Sequence, residues 1–214
     1  MSTQDIPWSF DTFVSNSKTR AVVAAAVEVA DHSAVAPNPL LLCGPTGSGK
    51  SHLLHAIARR ARSRKVLRMS ADEFGHLLLH AIRCDDIDAF RCRLATFDIV
   101  LFDDFPISDG KTETQKAISA HLQQARATGT RVVVAFHTSS IELQRTRRRL
   151  RYLFDSPVFA TLTYPDVAGR RVLVRRAAAD RSVSLGSSVI EDLARRLGTP
   201  REIQAAVARL AIET

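Results

Sequence analysis

The segment Gly44-Pro45-Thr46-Gly47-Ser48-Gly49-Lys50-Ser51 satisfies the pattern G-x-x-x-x-G-K-[ST] at every fixed position. Such a loop works only between a strand and a helix, which commits the surrounding chain to an α/β arrangement. The apolar run Pro39 to Cys43 before it reads as a buried strand, and His52 to Ala61 after it reads as a helix. The competing reading, a Gly/Ser-rich surface turn, does not account for these flanks. The glycines let the backbone wrap a phosphate chain without Cβ clashes. The wrapped N–H groups and the helix N-terminus then form an anion site. Lys50 is placed to reach the outer phosphates, and the Ser51 hydroxyl to ligate Mg²⁺.

Helix-period and strand-type segments alternate along the rest of the first 164 residues. Thr19 to Asp31 predicts a helix and Val66 to Met69 a short strand. Ser70-Ala71-Asp72-Glu73 forms a capping box, followed by Phe74, Leu77, Leu78, Ala81 and Ile82 at helical spacing. A second short helix carries Ile87, Phe90 and Leu94 on one face. Asp98 to Asp104 is a buried parallel strand tipped with carboxylates, Asp109-Gly110 marks a turn, and Thr114 to Ala127 reads as a helix. Thr130 to Phe136 and Val158 to Thr163 are further strands, with a helix capped by Ser139 and Glu142 between them. From Asp166 onward the pattern is helical only, with capping boxes expected at Ser188/Glu191 and Thr199/Glu202. The fold class is therefore α/β, a doubly wound parallel P-loop NTPase sheet over residues 1–164 with a small helical lid over 165–214. Ligands bind at the carboxyl ends of such strands, where the phosphate loop also sits.

The strand tip supplies the remaining chemistry. Asp103 is placed to hold the Mg²⁺ shell, and Asp104 to polarise water near a terminal phosphate as a general base. His137, at the end of its strand, is placed to sense that phosphate, a capping role being the alternative. Arg201 opens the last helix, where it can aim back at β- and γ-phosphates. The 214 residues carry a formal net charge of +8, which favours a polyanionic partner, nucleic acid first. Two arginine clusters carry the excess, one around residues 59–68 and a denser one at Arg145, Arg147, Arg148, Arg149 and Arg151. The three cysteines form no C-x-x-C pair, so neither a disulfide framework nor a zinc site is indicated, and Cys43 reads as a small core residue. No apolar run approaches the roughly 18 residues of a membrane helix. The start, Met1 to Ile6, lacks the charged-then-apolar pattern of a signal peptide, so a cytoplasmic location is expected.

Taken together, these motifs resemble the AAA+ module of the bacterial replication initiator DnaA family over nearly the whole chain. Ser9-Phe10-Asp11-Thr12-Phe13-Val14 resembles the family's N-terminal box, and Lys50-Ser51-His52-Leu53-Leu54-His55-Ala56-Ile57 its phosphate-loop region. The helices between residues 71 and 95 occupy the place of the initiator-specific insertion. Asp103-Asp104 matches the family's paired aspartates, and Pro200-Arg201-Glu202-Ile203 its second-sensor segment. The resemblance implies ATP or ADP with Mg²⁺. It implies contacts from Phe13, Val14, the loop Gly44, Pro45, Thr46, Gly47, Ser48, Gly49, Lys50 and Ser51, and from His52 and Arg201, with DnaA, another replication protein or a second copy as partner.

Three positions depart from the family pattern. Leu153 holds the place of the arginine that acts in trans as a finger, His137 that of the first-sensor aspartate, and Glu113 that of an arginine implicated in single-strand contact. A finger is worth roughly 10³–10⁵ in rate, and leucine supplies no charge. The chain also carries no helix-turn-helix segment after the lid, an arrangement similar to the Hda regulators, although Met1 to Pro7 is not their clamp-binding peptide and they keep the finger. The expectation is a nucleotide-switched interaction module of replication control with weak or no hydrolysis. The alternatives are an active ATPase, a short initiator or helicase loader assembling on DNA, and a fragment of a longer initiator.

Overall fold

A computed structural model describes residues 8–107, 112–139 and 141–213. Strands β1 (Leu40–Gly44), β2 (Val66–Ser70), β3 (Ile99–Asp103), β4 (Arg131–His137) and β5 (Val158–Thr161) form one parallel sheet in the order β2-β3-β4-β1-β5. Helices α1 (Arg20–Ala30), α2 (Lys50–Arg60), α3 (Ala71–Arg83), α4 (Ile87–Ala95), α5 (Thr112–Ala127) and α6 (Leu143–Leu153) cover its faces. Helices α7 (Val167–Ala179), α8 (Ser187–Arg196) and α9 (Pro200–Glu213) follow.

Successive side chains of a strand point to opposite faces, so a sheet covered on both sides needs continuous apolar runs. In β1, Leu40 and Leu42 face α1 and α2, while Leu41 and Cys43 join Phe102, Phe136, Phe74 and Leu122 on the other side. Cys43 is fully buried, its Sγ 3.2 Å from Thr161 Oγ1, as expected of a core residue. The register sets Gly44 beside His137 and Ser70 beside Asp103, which brings the predicted site residues to one edge of the sheet. Helices α7, α8 and α9 enclose their own small core of Val174, Ala177, Ala178, Ile203 and Val207.

Some local expectations hold and others fail for identifiable reasons. The box at Ser70 is complete, with Glu73 N–H donating to Ser70 Oγ and Ser70 N–H to the Glu73 carboxylate. The box at Thr199 is complete as well, the Glu202 carboxylate accepting from Gly198 and Thr199. Ser188 and Glu191 do not form one. The α8 N-cap is Gly186, and Glu191 is drawn off by Arg171 of α7, at 2.8 Å from Nη2, and by Arg195. The α3 stripe is only half used: Phe74 and Ala81 are buried, but Leu77 and Ile82 are exposed, because only one edge of the helix meets the sheet. Strand β5 stops at Thr161, two residues short of its expected end. The turn expected at Asp109-Gly110 and the segment 1–7 lie outside the described residues. Among the described residues, no helix is long and apolar enough to cross a membrane.

Candidate functional site

The loop between β1 and α2 is shaped by two glycines. A Cβ at Gly44 would lie 2.5 Å from the Leu162 carbonyl oxygen, so the strand can end here only on glycine. Gly49 caps α2 with φ +99°, a left-handed conformation that glycine adopts without penalty. Lys50 is buried, and its Nζ donates to the carbonyls of Gly44 and Pro45, each at 2.9 Å. Burial pushes its pKa down, opposed by the nearby carboxylates of Asp104 and Asp103 and reinforced by Arg201. The ammonium is thus held by its own loop, in a field set by groups from two other parts of the chain. Ser48 N–H donates to the Pro45 carbonyl, while the buried Ser48 Oγ has no hydrogen-bond partner among the described residues. Ser51, half-buried in the first turn of α2, stands next to Lys50.

Further side chains fix the loop from both sides. His137 Nδ1 lies 3.2 Å from Thr46 Oγ1, so the residue expected to sense a phosphate touches the loop directly. Tyr164 Oη donates to the Thr46 carbonyl at 2.9 Å, an anchor that no local pattern signals. Arg201, exposed at the start of α9, arches over the loop, its Cδ 3.9 Å from where a Gly47 Cβ would stand. Asp103 closes β3, and its Oδ1 accepts the Asp104 N–H. Asp104 has φ +51°, an uncommon conformation for a side-chain-bearing residue, and the following N–H, that of Phe105, donates to the Ala135 carbonyl of β4 at 2.9 Å.

The segment 8–19 straps this loop to α7. Phe13 packs on Gly49, where an added Cβ would meet its ring at 2.7 Å, and edge-on against His52 with centroids 5.3 Å apart. Val14 Cγ1 packs against Gly169 of α7. His52 Nε2 donates to the Ser9 carbonyl at 2.9 Å, and burial holds its imidazole below the usual value. Arg176 of α7 donates to the carbonyls of Thr12, at 2.6 Å, and Asp11. Trp8 stacks on His52 and meets His55 edge-on at 4.5 Å. Between strap, loop and helical bundle lies a cleft of about 1190 Å³, lined by Phe13, Val14, Gly47 to Gly49, His52, Leu173, Arg176 and Pro200. All the predicted site residues therefore converge on this cleft or on the loop and strand tips beside it. Arg176, Tyr164 and Trp8 were missed, since each acts through a contact that no local pattern encodes.

The arginine clusters are partly consumed inside the fold. Arg60 is paired with Asp31 at 2.6 Å, and Arg68 contacts His55. In α6, Arg147 donates to Thr161 Oγ1 and lies over the Phe159 ring with Arg151. Arg149 donates to the Ile107 carbonyl and Thr112 Oγ1. Leu153 packs against the sheet core, its carbonyl accepting from Gln123. Glu113 is exposed and paired with Lys116.

A model of the bacterial DnaA ATPase domain matches residues 5–160. The chain belongs to that family. It is 32% identical over 208 residues to the chromosomal replication initiator protein DnaA of Thermomicrobium roseum, a match covering 95% of this chain and 45% of that protein. The chain thus spans less than half the length of the curated relatives it matches. Domain III of the Thermotoga maritima replication initiation protein DnaA superimposes with a TM-score of 0.82 at 24% identity, covering 98% of this chain and 89% of that one. A replication initiator DnaA bound to AMPPCP and single-stranded DNA gives a TM-score of 0.80 at 22% identity, covering 96% of this chain and 65% of that one. The five-stranded sheet and the phosphate loop are those of a DnaA-type AAA+ P-loop fold.

Proposed function

We propose that this DnaA-family domain binds ATP or ADP in the cleft between strap, phosphate loop and helical bundle, and that the bound nucleotide switches its association with DnaA, another replication protein or a second copy of itself. Residues 165–214 act as the lid of that site, and hydrolysis is slow. The observation that carries this reading is the position of Lys50. Its buried ammonium is held at the loop by two carbonyls, within the electrostatic reach of Arg201, Asp103 and Asp104. That arrangement suits a polyphosphate, which would take over the ammonium and face Arg201. The relative bound to AMPPCP supports the same ligand class.

The donor chemistry beside Lys50 also fits Mg²⁺, which takes hard oxygen ligands and keeps several waters. Ser51 and Asp103 would hold it, and when bound it would neutralise charge on the outer phosphates. Phe13, Val14 and His52 form the apolar and aromatic wall for a purine. Contact with DNA would run through exposed arginines such as Arg59, Arg62 and Arg148, and would appear as a salt-dependent, sequence-independent affinity.

Isothermal titration with ATP, ADP and GTP, with and without Mg²⁺, tests the proposal. Saturable one-to-one binding of an adenine nucleotide that Lys50→Ala reduces at least tenfold is the expected result. Absence of binding, or binding indifferent to Lys50, refutes it.

A further inference from the structure

The apex of the phosphate loop is a four-residue turn, Pro45-Thr46-Gly47-Ser48, closed by the Ser48 N–H donating to the Pro45 carbonyl at 3.2 Å. Gly47, third in the turn, has φ +78°, the value that marks a type II turn. A type I turn over the same residues differs by a half-rotation of the central peptide, here Thr46–Gly47, which exchanges the faces shown by its carbonyl and its N–H. The Tyr164 hydroxyl holds one of these two forms. It donates to the Thr46 carbonyl at 2.9 Å, from the segment that joins β5 to α7. The backbone of that segment is itself fixed. Leu162 N–H donates to the Cys43 carbonyl at 2.7 Å, and the Tyr164 carbonyl accepts from Asn16 Nδ2 at 3.3 Å. Asn16 is oriented in turn, since its Oδ1 accepts from the N–H groups of Lys18 and Thr19, each at 3.0 Å.

We infer that Tyr164 is a positioning residue for the phosphates of the nucleotide, and that it acts by holding the Gly47 N–H toward them. The inference rests on the cleft being a nucleotide site and deepens that reading. The Thr46–Gly47 peptide is trans, so its carbonyl and its N–H point in opposite directions. With the carbonyl fixed on the Tyr164 hydroxyl, the Gly47 N–H points away from the tyrosine. Gly47 lines the cleft and Tyr164 does not. The Gly47 N–H makes no hydrogen bond among the described residues, so it is a donor ready for an anion. A flipped peptide would turn the Thr46 carbonyl oxygen toward that anion and replace attraction by repulsion. Glycine leaves both forms open at little steric cost, and the phenol favours the one that binds. His137 does not compete for the carbonyl, because its Nδ1 meets the Thr46 side chain instead.

Two measurements on the whole chain test this together: calorimetric titration with ADP and Mg²⁺, and NMR relaxation dispersion of the backbone amides without nucleotide. Y164F keeps the ring and removes only the hydroxyl. It should weaken ADP binding about twofold to tenfold, the range that one net hydrogen bond supplies. The Thr46, Gly47 and Ser48 amides should broaden by exchange between the two turn forms, while those of α7 stay as in the parent. Saturating ADP should return the three to sharp signals. Y152F, at the exposed second tyrosine, should match the parent in both measurements. A loss of ADP affinity below twofold in Y164F overturns the inference and leaves the nucleotide site standing. Weakened binding with unchanged loop amides, or with broadening that spreads through α7, also overturns it, since the tyrosine would then only brace the segment it belongs to. Absence of ADP binding by the parent removes both the site and the inference.

Discussion

Gly49 couples the phosphate loop to the strap, and its replacement by alanine tests that coupling quantitatively. Two costs follow from the geometry. A left-handed backbone costs an L residue about 1–2 kcal/mol, and Gly49 has φ +99°. The new Cβ would also fall 2.7 Å from the Phe13 ring, roughly an ångström inside normal contact, so Phe13 must leave its place against His52. An edge-on aromatic pair is worth about 0.5–1.5 kcal/mol. The two together give a destabilisation of about 1.5–3.5 kcal/mol, or roughly 3–14 °C in Tm for a chain of this size. The assay is a double-mutant cycle, with urea or thermal unfolding of the parent, G49A, F13A and the double variant. In the F13A background the G49A penalty should fall to the backbone part alone, about 1–2 kcal/mol. An equal penalty in both backgrounds would refute the steric link between strap and loop, and no penalty in either would refute the left-handed assignment.

Three further outcomes are expected. Hydrogen bonds from Arg171 and Arg195 hold the Glu191 carboxyl pKa down to about 2, from an ordinary value of 4.5. A lowered carboxylate pKa stabilises above its unfolded value and stops doing so as pH falls through the folded one. The contribution of Glu191 should thus be present above pH 4.5 and fade toward pH 2, and E191Q should remove that part of the acid sensitivity; identical acid-unfolding curves would contradict it. His52 is held below its ordinary value by burial, so its contribution is complete above about pH 6.5 and declines as pH falls below it. The emission of Trp8, which stacks on His52, should change across that window in the parent and stay flat in H52Q, and equal titrations would count against the contact. Arg176→Ala removes two donors to the strap carbonyls. Amide exchange of residues 9–14 should quicken about tenfold while the sheet core is unaffected, and unchanged exchange would show that the strap is held otherwise.

Much of this architecture was legible because its determinants are local. The phosphate loop is one continuous octapeptide, the boxes at Ser70 and Thr199 each span four residues, and the buried runs at Leu40 and Ile99 need no partner to be recognised. The same locality explains the failures. Ser188 and Glu191 have the spacing of a capping box, but an arginine 20 residues away competes for the carboxylate and wins with a bidentate ion pair. The α3 stripe has helical period, yet the sheet covers only part of it, so Leu77 and Ile82 remain in water. The dense arginine run in α6 reads as a basic surface for a polyanion, while Phe159, Thr161, Ile107 and Thr112, all outside the helix, take up three of its side chains. Arg176 and Tyr164 act across more than a hundred residues of chain, on Thr12 and Thr46, and only the folded geometry reveals them.

Nucleotide binding in the proposed cleft requires Lys50 to exchange its own loop for a phosphate. A crystal structure of the chain grown with ADP and Mg²⁺ examines this directly. The diphosphate should lie against the amides of Gly47 to Ser51, with Lys50 Nζ moved from the Gly44 and Pro45 carbonyls to a phosphate oxygen and the purine beside Phe13 and Val14. A structure in which Lys50 keeps both carbonyls at saturating ADP, with no nucleotide in the cleft, would contradict it.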